Sequence, residues 1–290
     1  MSTAEIEIIA GKHFNTNSLN KSIPVKTKAI VFDLDETIGQ FSNLHQIALA
    51  FEEILKRPLK QIEFDELLNL YPEFLRPGIL TILEFINYKK SQGTLQKVYL
   101  YTNNQCGKEW VDRITAYIDV KIGATKPLFD DKMYAFKIKQ KILDVRRTTN
   151  NKTHDDFIKC TMLKDTTTEI CFIDDVKYSR MCNDNVYYIK PRPYTHSLSK
   201  HEIIKRLLEH IPASVAPFNR DVLHSILYKY CSGFVVKSTD KLVSDIEITK
   251  KIMYHVREFL YFCGNRSDKG KTCRKRRVGN RKTIKKLSSK

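Results

Sequence analysis

The apolar positions along the chain predict an alternation of short strands and helices. Four uninterrupted apolar runs are typical of strands that are buried on both faces. These runs lie at 29–32, 98–101, 170–173 and 186–189. Elsewhere apolar residues recur at the three- and four-residue spacing of amphipathic helices. The helical stretches are 44–55, 64–70, 79–86, 109–118, 158–163, 201–211, 220–230 and 245–262. This alternation predicts an α/β fold, in which helices cover both faces of a parallel sheet.

Composition divides the chain into four predicted segments. A polar lead-in at 1–27 precedes the region of alternating strands and helices at 28–211, which we expect to form one domain. Two further helices make a helical extension at 212–265, and 266–290 is a basic tail that we expect to be disordered. The extension is compatible both with an added subdomain and with a dimer face, so the sequence leaves the oligomeric state open.

Most of the positive charge comes from the tail. The chain has 290 residues and a formal net charge of +17, from 50 lysines and arginines and 33 aspartates and glutamates. Residues 266–290 hold twelve of the basic residues and one acid, which is +11 of that total. The tail could therefore contact nucleic acid phosphates, an acidic partner or a nuclear import receptor, and the alternative is a solvated tail with no specific partner.

Cysteine usage and hydropathy predict an intracellular protein, in the nucleus or the cytoplasm. The seven cysteines are scattered and form no CxxC pair, which argues against a disulfide framework or a zinc module. No apolar run approaches the roughly 18–20 residues of a membrane span, so we expect no membrane partner. The basic tail is compatible with nuclear import.

Polar side chains follow three of the four predicted strands. In chain order they are Asp33, Asp35 and Thr37, then Thr102 and Asn103, then Asp174 and Asp175. Because the carboxyl ends of parallel strands meet at one edge of a sheet, we expect these side chains to surround one pocket. Carboxylates that are this close repel one another unless a cation lies between them, and oxygen ligands suit Mg²⁺. The sequence therefore predicts a magnesium site.

The spacing of Asp33 and Asp35 has a chemical meaning. Residues i and i+2 leaving a strand can face the same cavity, while Leu34 between them packs the other way. One carboxylate can then bind metal and attack phosphorus, and its neighbour can donate and accept the proton. The hydroxyl of Thr37 can steady the turn or a phosphoryl oxygen.

The string FDLDET at 32–37 resembles the first motif of the haloacid dehalogenase superfamily of phosphotransferases. More narrowly, the chain resembles the phosphatases of the RNA polymerase II carboxy-terminal domain, also called the NLI-interacting-factor-like family. Four further segments match that family in order: LRPG at 75–78, YTN at 101–103, FIK at 157–159 and IDD at 173–175. The match covers roughly 28–211 and implies the Rossmann-like parallel sheet of the haloacid dehalogenase fold. The stretch between the first two motifs departs from the family, since its spacing is helical where the small phosphatases place strands.

The resemblance implies a covalent mechanism. Asp33 would attack phosphorus and become an aspartyl phosphate, while Asp35 would protonate the leaving oxygen and then activate water. The implied Mg²⁺ ligands are Asp33, Asp35 through its backbone carbonyl, and Asp175, with Asp174 as a ligand or beside one.

Three lysines compete for the third motif of that family. Lys159 lies 15 residues before Asp174, close to the family spacing, and is the predicted lysine; Lys152 and Lys164 are the competitors. The lysine, the metal and the hydroxyl of Thr102 would neutralise charge on the phosphoryl oxygens. The implied phosphate-binding residues are Thr37, Thr102, Asn103 and Lys159.

These residues predict a Mg²⁺-dependent phosphatase that acts on phosphoserine or phosphothreonine in a protein. The basic tail makes a phosphatase for nucleic acid ends or nucleotides the second hypothesis. A binding module that kept the fold but does little chemistry is the third. The presence of both Asp33 and Asp35 argues against the third, because a binding module has no need of a repelling pair of acids.

Overall fold

The computed structural model describes residues 5–14, 27–210, 220–234 and 240–264. A mostly parallel six-stranded sheet forms its centre and is flanked by helices, which confirms the predicted α/β class. The strands are β1 (Ile6–Ala10), β2 (Thr27–Phe32), β3 (Lys97–Tyr101), β4 (Asp131–Met133), β5 (Lys137–Ile138), β6 (Lys141–Ile142), β7 (Thr168–Ile173) and β8 (Val186–Pro191). The helices are α1 (Phe41–Leu55), α2 (Gln61–Leu70), α3 (Ile79–Ser91), α4 (Lys108–Lys121), α5 (His154–Thr161), α6 (Lys200–Glu209), α7 (Arg220–Tyr230) and α8 (Asp240–Gly264).

The strand order across the central sheet is β1-β8-β7-β2-β3-β4. β1 pairs antiparallel with β8, and the other pairings in this sheet are parallel. β5 and β6 form a separate antiparallel hairpin. The four strands predicted from apolar runs are confirmed as β2, β3, β7 and β8, and β2 lies between β7 and β3.

Successive strand residues point to opposite faces of the sheet, and both faces are buried. On one face Ile30 and Phe32 of β2 join a large core with residues of α1 to α4 and α6 to α8. On the other face Ala29 and Val31 pack in a smaller cluster with Phe157 of α5. Burial on both faces is the reason that these strands have no polar interruption in the sequence.

The predicted lead-in at 1–27 contributes an edge strand that the sequence did not predict. β1 runs along β8 with Ile8 opposite Ile189, and Ile6 and Ile8 pack against the large core. The amide of Gly11 then donates to the carbonyl of Val186 at 2.9 Å. The described part of this segment is therefore ordered, because it pairs with a strand from the far end of the domain.

Helices α7 and α8 pack on the same core as the sheet. Leu223 and Leu227 of α7 and Ile248 and Ile252 of α8 are fully buried. α7 lies against α1 and α6, and α8 lies against β8. The described part of the predicted extension at 212–265 is therefore continuous with the sheet domain.

Parts of the predicted extension and the whole predicted tail lie outside the described residues, so the predictions for 266–290 stay predictions. Besides β1, the sequence analysis missed three short strands, namely β4 and the two strands of the β5–β6 hairpin. β4 forms the other edge of the sheet, beside β3, with Tyr101 opposite Met133.

None of the helices in the described ranges combines the length and the apolar character that crossing a membrane requires.

Candidate active site

The carboxyl ends of three neighbouring parallel strands bring the predicted site residues together. Asp33 follows β2 directly, Thr102 follows β3 and Asp174 follows β7. The amide of Asp33 donates to the carbonyl of Ile173 at 2.9 Å, which continues the ladder between β2 and β7. The residues therefore gather at the edge where ligands of α/β sheets bind.

A tight turn carries the chain out of β2. The amide of Ile38 donates to the carbonyl four residues earlier at 2.9 Å. Gly39 follows, and a Cβ at Gly39 would lie 2.4 Å from the carbonyl oxygen of Phe74. A larger residue would displace the backbone there, so the turn requires glycine. The turn keeps the carboxyl group of Asp35 within electrostatic reach of Asp33.

Three buried carboxylates form the centre of the site. One oxygen atom each from Asp33, Asp174 and Asp175 lie within 4.8 Å of one another. The ammonium of Lys152 is 1% exposed and donates to Asp174 Oδ2 at 2.7 Å and to Asp33 Oδ1. Burial opposes the charged form, but the carboxylates of Asp174 and Asp33 outweigh it and raise the pKa of Lys152. The ammonium therefore stays charged.

This geometry corrects the predicted position of the lysine from Lys159 to its competitor Lys152. Lys152 lies just before α5, whereas Lys159 lies in the last turn of that helix and is exposed. Lys164 is exposed as well, and the ion pairs that Asp33 and Asp174 form with described residues go to Lys152. The spacing from Asp174 was a poor guide because it does not show which residue of a loop points into the site.

Asp35 lies beside the cluster with one oxygen satisfied by Asn104. The amide nitrogen Nδ2 of Asn104 donates to Asp35 Oδ2 at 2.8 Å, while Asp35 Oδ1 is buried and accepts no hydrogen bond from the described residues. Burial, followed by the charge of Asp33, raises the pKa of Asp35 to about 7. A carboxyl group with this pKa can hold and release a proton near neutral pH. Sequence reasoning missed Asn104, whose one signal is its position two residues after Thr102.

The predicted phosphate-binding side chains have partners within the protein. Thr37 Oγ1 donates to Asp175 Oδ1 at 3.0 Å and accepts from the amide of Asp175 at 3.1 Å, so this hydroxyl joins two loops. Thr102 Oγ1 accepts from the amide of Asn104 at 3.0 Å. Asn103 Nδ2 donates to the hydroxyl of Tyr178 at 3.2 Å. Of the two roles considered for Thr37, the structure therefore supports steadying the turn.

A buried arginine that sequence reasoning did not assign to the site holds the turn after β2. Arg76 Nε donates to the carbonyl of Thr37 at 2.7 Å, and its Nη2 donates to the carbonyls of Glu36 and Arg192 at 2.7 and 2.9 Å. Burial lowers the pKa of Arg76 to about 10, so the side chain stays charged at neutral pH. Its signal in the sequence was the LRPG segment, which carries this arginine.

Replacing Arg76 with lysine is expected to lower the free energy of unfolding by about 2–4 kcal/mol. A lysine ammonium cannot reproduce the planar fork of donors, so buried carbonyls lose their partner. Urea denaturation measures the change. Arg113→Lys is the matched control, because Arg113 is partly exposed and pairs with Glu52 between helices. Equal midpoints for the intact chain and Arg76→Lys would contradict this role.

The donor set of the cluster fits a hard divalent cation. The ammonium of Lys152 contacts the carboxyl groups of Asp33 and Asp174, and those of Asp35 and Asp175 lie within electrostatic reach of it. Burial is the main cause that raises the pKa of Asp174 to about 8 and that of Asp175 to about 6, and the charge of Asp33 adds to both shifts. A cation of charge two would relieve the repulsion among these acids, and oxygen donors suit hard ions such as Mg²⁺, Ca²⁺ and Mn²⁺.

The hydrogen bonds show which carboxylate oxygens are already used and which could still bind a metal. Asp174 accepts from Lys152 on Oδ2 and from the amide of Val176 on Oδ1 at 2.8 Å, so both of its oxygens are used. Asp33 Oδ2, Asp35 Oδ1 and Asp175 Oδ2 accept no hydrogen bond from the described residues. These three oxygens are the ones that remain for a metal or a phosphoryl group.

No model of a protein family matches the chain, and no curated protein matches it. The family resemblance accordingly remains a hypothesis that rests on the short motifs named above. The contacts of Lys152 with the acids and of Arg76 with the turn do not depend on that resemblance.

Proposed function

We propose that the chain is a phosphatase that forms an aspartyl phosphate on Asp33 and acts on phosphoserine or phosphothreonine in a protein. The observation that carries the proposal is the buried carboxylate of Asp33, which contacts Lys152 and lies beside Asp35. One oxygen of Asp33 remains for phosphorus. The choice of a protein substrate rests on the resemblance of the motifs.

In the first half-reaction the carboxylate of Asp33 attacks phosphorus, and the bond from phosphorus to the substrate's hydroxyl oxygen breaks. The proton for that leaving oxygen comes from Asp35, whose pKa of about 7 leaves a large protonated fraction near neutral pH. The positive charge of Lys152 lies against Asp33, where the negative phosphoryl oxygens arrive. A fixed charge at this position stabilises the transition state.

In the second half-reaction water attacks phosphorus and the bond to Asp33 breaks, which releases inorganic phosphate. Asp35, now ionised, takes the proton from that water. Asn104 holds Asp35 through Oδ2 and so keeps the same carboxyl group in place for both proton transfers. Arg76 and Thr37 keep the turn that carries Asp35 fixed.

Mg²⁺ is the cation that we propose for the site, and the carboxylates of Asp33 and Asp175 together with the backbone carbonyl of Asp35 would hold it. When it is bound it neutralises negative charge on the phosphoryl oxygens. Asp174, whose oxygens are both hydrogen-bonded, would position Lys152.

Hydrolysis of an aryl phosphate by the chelator-treated chain tests the metal requirement. We expect turnover with added Mg²⁺ to exceed turnover without it by about a hundredfold or more, since charge stabilisation dominates phosphoryl transfer. Equal rates with and without Mg²⁺ would contradict the proposed cofactor.

A substrate panel tests the proposed substrate. It contains phosphoserine and phosphothreonine peptides and oligonucleotides with a 3′- or 5′-phosphate. Turnover of the oligonucleotides alone would overturn the protein substrate in favour of a nucleic acid phosphatase. If the chain hydrolyses neither the substrates of the panel nor the aryl phosphate, the binding module is the hypothesis that remains.

A further inference from the structure

The segment between β4 and α5 begins and ends at contacts with the site. At its start the carbonyl of Met133 accepts from the amide of Thr102 at 2.9 Å. At its end Lys152 donates to Asp33 and Asp174. The β5–β6 hairpin lies between these two points, so the hairpin leaves the sheet at the edge that carries the aspartates.

A buried arginine fixes the base of this segment. Arg147 is 2% exposed, and its Nη1 donates to the carbonyls of Thr102 and Tyr134 at 3.0 and 2.7 Å. The guanidinium also lies 4.7 Å from the ring centroid of Tyr101. Nearer the hairpin, the amide of Leu143 donates to the carbonyl of Phe136 at 2.9 Å. The hairpin is thereby tied to the end of β3, beside the proposed site of phosphoryl transfer.

The hairpin carries three lysines and no acidic residue. Lys137, Lys139 and Lys141 fall within 135–143, which contains no aspartate or glutamate. None of the three forms an ion pair with a described residue, whereas nearby Arg146 and Lys132 pair with Asp144 and Asp112. Lys139 and Lys141 are exposed.

The turn of the hairpin has a lysine at a position where glycine or asparagine would have less backbone strain. Lys139 has a φ of 53°, in the left-handed region that glycine and asparagine adopt more easily. This choice adds a charge at the tip of the hairpin at the expense of backbone strain. Strain that is kept in this way often accompanies function.

We propose that the β5–β6 hairpin binds anionic side chains next to the phosphorylated residue, so that the substrate is an acidic or multiply phosphorylated protein segment. This inference rests on the proposed phosphatase function. Charged groups at the mouth of a site attract substrates of opposite charge and raise the association rate.

The neighbours of the lysines favour a protein over a nucleic acid. Between β4 and α5, the large apolar side chains that are exposed are aliphatic: Ile142 is 47% and Val145 is 81% exposed. Binding of single-stranded nucleic acid commonly uses exposed aromatic rings on which bases stack. Exposed aliphatic groups that follow the lysines suit a peptide that carries both apolar and acidic side chains.

The test compares two triple variants of the full chain. In the hairpin variant Lys137, Lys139 and Lys141 are replaced by glutamine. In the control variant Lys121, Lys126 and Lys164 are replaced in the same way; these exposed lysines lie near the amino ends of β4 and β7, at the opposite edge of the sheet. The substrates are an aryl phosphate, a phosphoserine peptide flanked by glutamates, the same peptide with glutamines, and a 5′-phosphorylated oligonucleotide.

We expect the hairpin variant to lose about tenfold in kcat/KM on the glutamate peptide, with a loss that shrinks as salt is added. Its rates on the aryl phosphate and the glutamine peptide should change less than about twofold, because neither substrate offers flanking anions. The control variant should match the intact chain on every substrate.

Three results would overturn the inference. They are an undiminished preference for the glutamate peptide in the hairpin variant, an equal loss in the control variant, and a loss confined to the oligonucleotide. Binding of the glutamate peptide, measured by fluorescence anisotropy without Mg²⁺, separates the two proposals. If the intact chain hydrolyses nothing, the phosphatase function fails. The hairpin inference then depends on whether its triple variant binds this peptide about tenfold more weakly than the control variant does.

Discussion

The Asp33→Asn variant is expected to hydrolyse an aryl phosphate at least about a thousandfold more slowly than the intact chain in the presence of Mg²⁺. Asparagine has the size of aspartate, but its amide is not a nucleophile that can form an acyl phosphate. The variant should remain folded. The acceptor oxygen for Lys152 is retained, and Lys152 keeps its ion pair with Asp174.

The charge balance supports this expectation about folding. The negative charge of Asp33 contributes to the raised pKa values of Asp35, Asp174 and Asp175, so its removal relieves repulsion among the remaining acids. We expect the free energy of unfolding to stay within about 1 kcal/mol of that of the intact chain. Thermal unfolding measures it.

Asp155→Asn is the matched control for Asp33→Asn. Asp155 is exposed in the first turn of α5, so this variant removes the same charge outside the cluster. Its activity should equal that of the intact chain. A folded Asp33→Asn variant that keeps more than about a tenth of the activity would rule out Asp33 as the nucleophile.

Replacing Lys152 with glutamine is expected to affect both stability and activity. The ammonium is fully buried against Asp33 and Asp174, so its loss leaves two buried carboxylates without their cation. Breaking a buried ion pair in this way costs about 3 kcal/mol or more in the free energy of unfolding. Activity on an aryl phosphate should fall by about a hundredfold or more, because a fixed positive charge beside the phosphoryl group is lost.

Lys159→Gln is the comparison for Lys152→Gln. It removes the same charge at the position that the sequence alone favoured. Lys159 is exposed on α5, and we expect its replacement to change the free energy of unfolding by less than about 0.5 kcal/mol. Activity should be unchanged. If Lys159→Gln lost activity while Lys152→Gln kept it, the assignment of Lys152 would be wrong.

The strands and the acids could be predicted from the sequence because their signals are local. A strand buried on both faces carries a continuous apolar run, and such runs form the ends of β2, β3 and β7 and the start of β8. Parallel strands end at one edge, so the residues that follow them meet. This rule was enough to place Asp33, Thr102 and Asp174 at one edge of the sheet.

The edge strand β1 and the basic hairpin could not be predicted in the same way. β1 is stabilised by hydrogen bonds to β8, a partner almost the whole domain away in sequence. The hairpin strands have two residues each, too few for an alternating pattern to appear. In both cases the decisive interactions are non-local.

The sequence by itself determined the α/β class, the edge of the sheet that holds the acids, and the closeness of Asp33 to Asp35. Only the tertiary structure decided which lysine reaches those acids, that Asn104 holds Asp35, and that Arg76 holds the turn. The reason is physical. The order of residues along a strand fixes the direction of their side chains, whereas the path of a loop such as 134–151 depends on distant partners, here the contact of Arg147 with the carbonyl of Thr102.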